Sequence, residues 1–275
     1  MRRGRLLIGL VLAVVAAIGY FGLREFNPIT GETQHISLTP EQEIALGLQS
    51  APEMAEQFGG LEPDASIQGD VTAVGSRLVQ QSIAGQTPYQ FSFHVLRDRE
   101  TVNAFALPGG PIFITCGLLE RFENEAQLAG VLGHEISHVI ARHSAAHIAK
   151  SQLAQGLIGA AGAAASDGAD GGQHAAQVAA MVAQMVQLKY GRSDEYQADT
   201  LGVRLMSEAD YDPRAMLEVM RILAQSSGSG RPPEFLSSHP DPGNRQGLIQ
   251  RAIEARFPNG VPQDLTLGRR IAVAQ

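Results

Sequence analysis

Apolar positions along the chain fall into three patterns. The first is a continuous run: Leu6 to Leu23 contains 18 residues without a charge and follows Arg2, Arg3 and Arg5. Coiled as a helix it would rise about 27 Å, close to the thickness of a bilayer core. The flanking arginines predict a cytoplasmic N-terminus and an exported remainder. Residues 1–24 are therefore expected to form one membrane anchor. A cleaved signal peptide ending near Val15-Ala16-Ala17 is the alternative, although the apolar run continues past it through Ile18, Tyr20 and Phe21. Residues 25–37 are polar and predict a linker.

The second pattern has the helical period. Thr39-Pro40-Glu41-Gln42 supplies an N-cap, a proline at the first position and a glutamine at the third. Ile44, Leu48 and Met54 carry that helix to about Phe58. Val71, Val74 and Leu78 mark a second helix over 66–82. The third pattern is alternation: Phe91, Phe93 and Val95 face one way from a strand over 89–96. Asn103 to Leu107 is a short extended piece. Pro108-Gly109-Gly110-Pro111 is a turn, and Ile112 to Thr115 is a further strand. A long helix then starts at Asn124, with Gln127 three residues on, and is expected to reach Lys150.

Residues 156–172 are almost wholly Ala, Gly, Ser and Asp, which predicts a mobile loop or a loosely packed helical hairpin. Helices are expected over 173–189, 193–209 and from Asp212-Pro213 to Ala224, with a flexible stretch over 226–233. The last begins at Asp241-Pro242 and ends before Pro258. The fold class is thus α+β, mainly helical, with a small sheet beside the long helix. Residues 38–275 form one domain after the anchor.

Composition narrows the chemistry. Hydrophobic residues are 44% and charged residues 18%, so most of the chain can bury a core; Trp is absent. Four of the 21 basic residues (Arg2, Arg3, Arg5, Arg24) flank the N-terminal run, leaving 17 against 28 acidic side chains. That balance argues against nucleic acid as a partner. Cys116 is the only cysteine, which excludes an intrachain disulfide and a thiolate metal site. Any bound metal must be held by His and carboxylates.

The long helix carries His134-Glu135-Ile136-Ser137-His138. Residues four apart on a helix differ by roughly 40° of rotation, so both imidazoles project to one side and can share one zinc ion. Glu135 can then take a proton from a metal-bound water and pass it to a leaving amine. The apolar flanks Leu128, Val131, Leu132, Val139 and Ile140 predict a buried helix, where uncompensated His and Glu would be costly. A hydrolytic zinc needs a third protein ligand and one open position. The best candidate is Glu195, in Arg192-Ser193-Asp194-Glu195-Tyr196-Gln197-Ala198-Asp199. Asp199, one turn further, can accept the other ring N–H of His134.

These stretches together resemble the gluzincin metallopeptidase family of the CAAX prenyl protease, HtpX and BepA, and are most similar to its exported, BepA-like branch. The resemblance spans about residues 38–257. It rests on Asn103-Ala104-Phe105-Ala106-Leu107-Pro108-Gly109-Gly110, the motif helix continuing through Arg142-His143, the Arg192 to Asp199 stretch, and Ser238-His239-Pro240 with Arg245. It implies a zincin-like domain with one zinc ion on His134, His138 and Glu195, and Glu135 as acid and base. It also implies roles that spacing alone leaves vague. The strand Ile112, Phe113, Ile114 and Thr115 would be the cleft edge to which an extended substrate adds. His239 would stabilise the oxyanion or block the zinc in a latent form, and Arg245 would anchor that loop or the reacting carbonyl.

His143 and His147 are expected to be surface or packing residues, since on an unbroken helix His143 lies about 180° from His134. Cys116 is expected to be a packed small residue. The leading function is a zinc endopeptidase tethered to the bacterial inner membrane, with its domain in the periplasm (soluble there if the signal is cleaved). It would cut misfolded or misassembled envelope proteins. The competing readings are a chaperone or assembly factor that binds extended segments with little proteolysis, and a structural metal-binding domain.

Overall fold

Asn124 opens helix α5 (Glu125–Ile140): its side chain accepts from the Gln127 N–H at 3.1 Å. Every residue from Ala126 to Ile140 is buried, so α5 is the axis on which the rest assembles. The computed structural model describes residues 2–165, 190–226, 233–239 and 244–271. Ahead of α5 come α1 (Arg2–Gly22), strands β1 (Arg24–Asn27) and β2 (Glu32–His35), helices α2 (Pro40–Gln57) and α3 (Ala65–Gln80), strands β3 (Ser92–Leu96), β4 (Ala104–Ala106) and β5 (Pro111–Thr115), and the short α4 (Cys116–Leu119). After it come α6 (His143–Ala165), α7 (Arg192–Glu208), α8 (Ala215–Ser226), α9 (Glu234–Ser238) and α10 (Arg245–Arg256).

α3, α7 and α8 pack around α5 through Val71, Val74, Leu78, Leu205, Met206, Met216 and Val219, all buried. α5 and α7 meet at two glycines. A Cβ on Gly202 would lie 3.4 Å from the His134 amide nitrogen, and one on Gly133 would lie 3.6 Å from the Gly202 carbonyl oxygen. Larger side chains would hold the helices apart, so these glycines set how near α7 brings its carboxylates to the α5 histidines.

The small sheet has the order β3-β5-β4, with β3 parallel and β4 antiparallel to β5. This corrects the expectation for the substrate strand. Ile112, Phe113, Ile114 and Thr115 form the central strand, hydrogen-bonded on both sides and buried. They have no free edge to offer. β3 and β4 are the edges, and β4 packs on α5.

The long helix is not continuous to Lys150. It stops at Ile140, Arg142 adopts φ 58°, and α6 begins at His143. The reason lies in the segment expected to be a linker, which carries the β1–β2 hairpin. Asn27 Nδ2 donates to the Ile140 carbonyl at 2.9 Å and Gln34 Nε2 to the Ala141 carbonyl at 2.7 Å. Those carbonyls would otherwise accept from the next helical turn. Arg142 turns aside to buried Glu43 (Nε to Oε1, 2.8 Å), to Glu25 (2.5 Å) and to the Leu38 carbonyl (2.6 Å).

α6 runs to Ala165, so the first part of the Ala/Gly segment is helical, as its alanines favour. It packs along α1, where Gly156 admits Ala16. The remainder of that segment, the helix expected over 173–189 and the cap expected at Asp241-Pro242 lie outside the described residues. Asn244 caps α10, accepting from the Gly247 N–H. Among the described residues no helix is long and apolar enough to cross a membrane.

Candidate metal centre

His134 and His138 project from α5 toward Glu195 on α7, and His239, at the end of α9, joins them; all four are buried. One donor atom from each lies within 4.8 Å of the others. His134 Nε2 is 3.0 Å from His138 Nε2 and 3.3 Å from His239 Nδ1. Glu195 Oε1 is 3.5 Å from His138 Nε2 and 3.0 Å from His239 Nδ1, and Oε2 is 3.4 Å from His134 Nε2. Ligands at about 2.0–2.1 Å from a tetrahedral zinc stand about 3.3 Å apart, so nitrogen and oxygen donors at these spacings fit the ion. Without one, three ring nitrogens and a carboxylate face each other in a buried space, an arrangement a cation would relieve.

Asp199 Oδ1 lies 2.9 Å from His134 Nδ1 and fixes that ring with Nε2 toward the centre. Arg245 grips the same carboxylate with two prongs and lies 3.2 Å from Glu195 Oε2. Its Nη1 reaches the His239 carbonyl at 3.5 Å. Its Nη2 also lies 3.2 and 3.3 Å from the two ring nitrogens of His134, so Arg245 ties Asp199, Glu195 and His134 to the His239 loop. Glu135 is fully buried, and neither of its oxygens has a hydrogen-bond partner among the described residues. His239 Nε2 stands 3.5 Å from Glu135 Oε1.

The charges divide by environment. Burial pushes the Glu135 carboxyl up and holds the His138 ring well below its usual range. Burial also acts against ionised Glu195, but His239 and the hydrogen bonds of His134 and His138 outweigh it and hold that carboxyl low. For His134, burial and Arg245 oppose the imidazolium, yet Asp199 and Glu195 outweigh both and raise its pKa to about 9.

Three contacts here escaped the sequence reading. His143 is buried, with its Nδ1 2.8 Å from His138 Nδ1, because the break at Arg142 turns it back. It is a packing residue with a partner in the centre. Gln197 lies 2.9 Å from the other nitrogen of His143. Tyr190 stacks on His138 with ring centroids 3.9 Å apart, and its N–H donates to the Ser238 carbonyl next to His239. His143 and Gln197 stand inside the motif stretches read from the sequence; Tyr190 does not. His147 pairs with Asp194 at 3.0 Å, away from the centre.

A buried helix presenting His-Glu-x-x-His beside a downstream Glu-x-x-x-Asp helix defines a zincin-type metallopeptidase site. Residues 65–252 match Peptidase family M48, and the chain belongs to this family. It is 30% identical over 245 residues to the beta-barrel assembly-enhancing protease of Yersinia pestis, covering 87% of this chain and 50% of that protein. It is 30% identical over 226 residues to the protein of the same name in Escherichia coli K12, covering 79% of this chain and 45% of that protein. The mitochondrial metalloendopeptidase OMA1 of Schizosaccharomyces pombe is 29% identical over 245 residues, covering 86% of this chain and 69% of that protein. The chain thus spans about half the length of the beta-barrel assembly-enhancing proteases it matches.

Proposed function

We propose that the chain is a zinc endopeptidase that cuts extended segments of misfolded or misassembled envelope proteins. In this reading the uncharged run Leu6 to Leu23 attaches the chain to the periplasmic face of the bacterial inner membrane, although α1 as described is not long and apolar enough to span it. The observation that carries the reading is the convergence of His134, His138 and Glu195 beside the buried Glu135 carboxyl, which makes no hydrogen bond among the described residues. When bound there, zinc would supply a Lewis acid and lower the pKa of a coordinated water. The remaining work falls to the chain. Asp199 and Arg245 hold His134 in the tautomer that frees Nε2. Glu135, raised by burial, takes a proton from the attacking water and returns it to the leaving amine. A substrate in extended form would add to the edge of β4, since β5 has none to offer. The names of the bacterial relatives motivate the envelope substrates.

His239 completes the centre as a fourth protein donor, and with it in place no position is left for water. We read this arrangement as a latent form from which His239 withdraws when substrate enters. The same contact favours a second reading, a chaperone that grips extended segments and rarely cuts.

The test uses the full chain in detergent and its Glu135→Gln form. Both should bind one zinc ion, and only the wild type should cleave an unfolded protein, the variant being slower by about 10²–10⁴-fold. Equal cleavage by the two sinks the peptidase mechanism. Zinc without cleavage, with unfolded protein still captured, favours the chaperone.

A further inference from the structure

We propose that His143 and Gln197 form a hydrogen-bonded relay that positions His138 as a metal ligand; His143 is a positioning residue that neither binds the ion nor meets substrate. The inference rests on the reading of His134, His138 and Glu195 as zinc ligands.

The direction of the hydrogen bonds carries the argument. His143 Nε2 faces Gln197 Oε1 at 2.9 Å, and an amide oxygen only accepts. His143 Nε2 therefore bears the proton. A neutral imidazole has one N–H, so His143 Nδ1 is a bare acceptor. It lies 2.8 Å from His138 Nδ1, which must then donate. That leaves His138 Nε2 unprotonated, and it is this nitrogen that faces His134 Nε2 and Glu195 Oε1. Were the Gln197 amide reversed, each proton would move to the opposite nitrogen. His138 Nε2 would carry hydrogen and could not ligate. The Gln197 oxygen thus sets the tautomer of a ring two links away.

The two α5 ligands are oriented by different chemistry. His134 is backed by a carboxylate, Asp199, itself held by Arg245. His138 is backed by a neutral ring. Tyr190 stacks on His138 and fixes the plane of its ring, while His143 fixes rotation within that plane. The fold creates this contact through one residue. On an unbroken helix, a side chain five positions beyond His138 would point about 140° away. The left-handed Arg142 (φ 58°) ends α5 and returns His143 to the His138 ring. Gln197 comes from α7, two residues after Glu195, so one helix supplies both a ligand and the far end of the relay.

The experiment measures zinc affinity of the full chain by competition with a chromophoric chelator, and the visible spectrum of its cobalt-substituted form. His143→Leu should weaken zinc binding by about 10–100-fold and alter the cobalt spectrum. His143→Asn offers an amide oxygen near the position of Nδ1, and should bind zinc within about threefold of wild type. Gln197→Leu should weaken binding without removing any group next to the ion. Thermal unfolding of the metal-free forms identifies variants that fail to fold. If His143→Leu is one of them, His143→Asn and Gln197→Leu carry the test. Wild-type affinity in His143→Leu or Gln197→Leu overturns the relay, as does an equal loss in the Leu and Asn variants of His143. Failure of the wild type itself to take up zinc overturns the relay together with the metal reading beneath it.

Discussion

Arg245 holds Asp199 with two parallel hydrogen bonds, Nε to Oδ2 at 2.9 Å and Nη2 to Oδ1 at 2.8 Å, in a layer directly behind His134. All three side chains are buried, and Glu195 lies 3.2 Å from the same guanidinium. Arg245→Met would leave two buried carboxylates without this cation. We expect a loss of about 3–5 kcal/mol, the scale for breaking a buried charge pair from one side. Arg245→Lys keeps the charge but loses the fork, and should fall between. Urea unfolding of chelator-treated protein checks this. A loss under about 1 kcal/mol, the scale of an exposed pair, would contradict the tie.

In the latent form proposed above, His239 takes the place of the metal-bound water; its ring is stacked on Phe235 at 4.5 Å and lies near Tyr190 at 5.3 Å. His239→Ala should keep the zinc, since three donors remain, and should cleave an unfolded protein faster. If the open form is about a tenth populated in the wild type, the gain is roughly tenfold. Cleavage rate and zinc content of the two proteins decide it. Slower cleavage with full zinc would assign His239 to the oxyanion instead.

Local spacing made the centre legible. The four-residue interval between His134 and His138, and again between Glu195 and Asp199, fixes a face on a helix whatever surrounds it. What sequence could not show depends on long-range contacts. Nothing in Ala141-Arg142-His143 marks a helix end by composition. The break follows from Asn27 and Gln34, more than a hundred residues earlier, occupying the Ile140 and Ala141 carbonyls. Without that break His143 faces away from His134, and only the left-handed Arg142 brings it to the His138 ring. The strand order failed for a similar reason: Ile112 to Thr115 reads as a strand, but only pairing with both β3 and β4 makes it central.

Gly202 touches the His134 backbone, and a bulkier residue there would push α7 away from α5. Gly202→Ala places a methyl in ordinary contact and should be tolerated, whereas Gly202→Val extends beyond it toward Met216 and Gly133. The valine variant should lose about 1–3 kcal/mol from overpacking. It should also bind zinc more weakly, because Glu195 and Asp199 ride on α7. Chelator competition and urea unfolding of both variants test this. Zinc affinity unchanged in a destabilised Gly202→Val would separate helix spacing from ligand placement.

Glu43 offers a test of pH dependence remote from the metal. Its carboxyl is buried under Arg142, and burial outweighs the pull of that guanidinium, pushing its pKa up to about 7. In the unfolded chain it ionises near 4.5. Between these values the folded state binds more protons, so its contribution to stability falls as pH rises through the window and levels off above about 7. The change is on the order of 3 kcal/mol. Glu43→Gln cannot titrate, so the difference in unfolding free energy between wild type and variant should shift by that amount between pH 4.5 and 8. The wild type loses ground as pH rises. Parallel stability curves would mean that Arg142 keeps Glu43 ionised throughout, and that the helix break before His143 is held by a permanent ion pair.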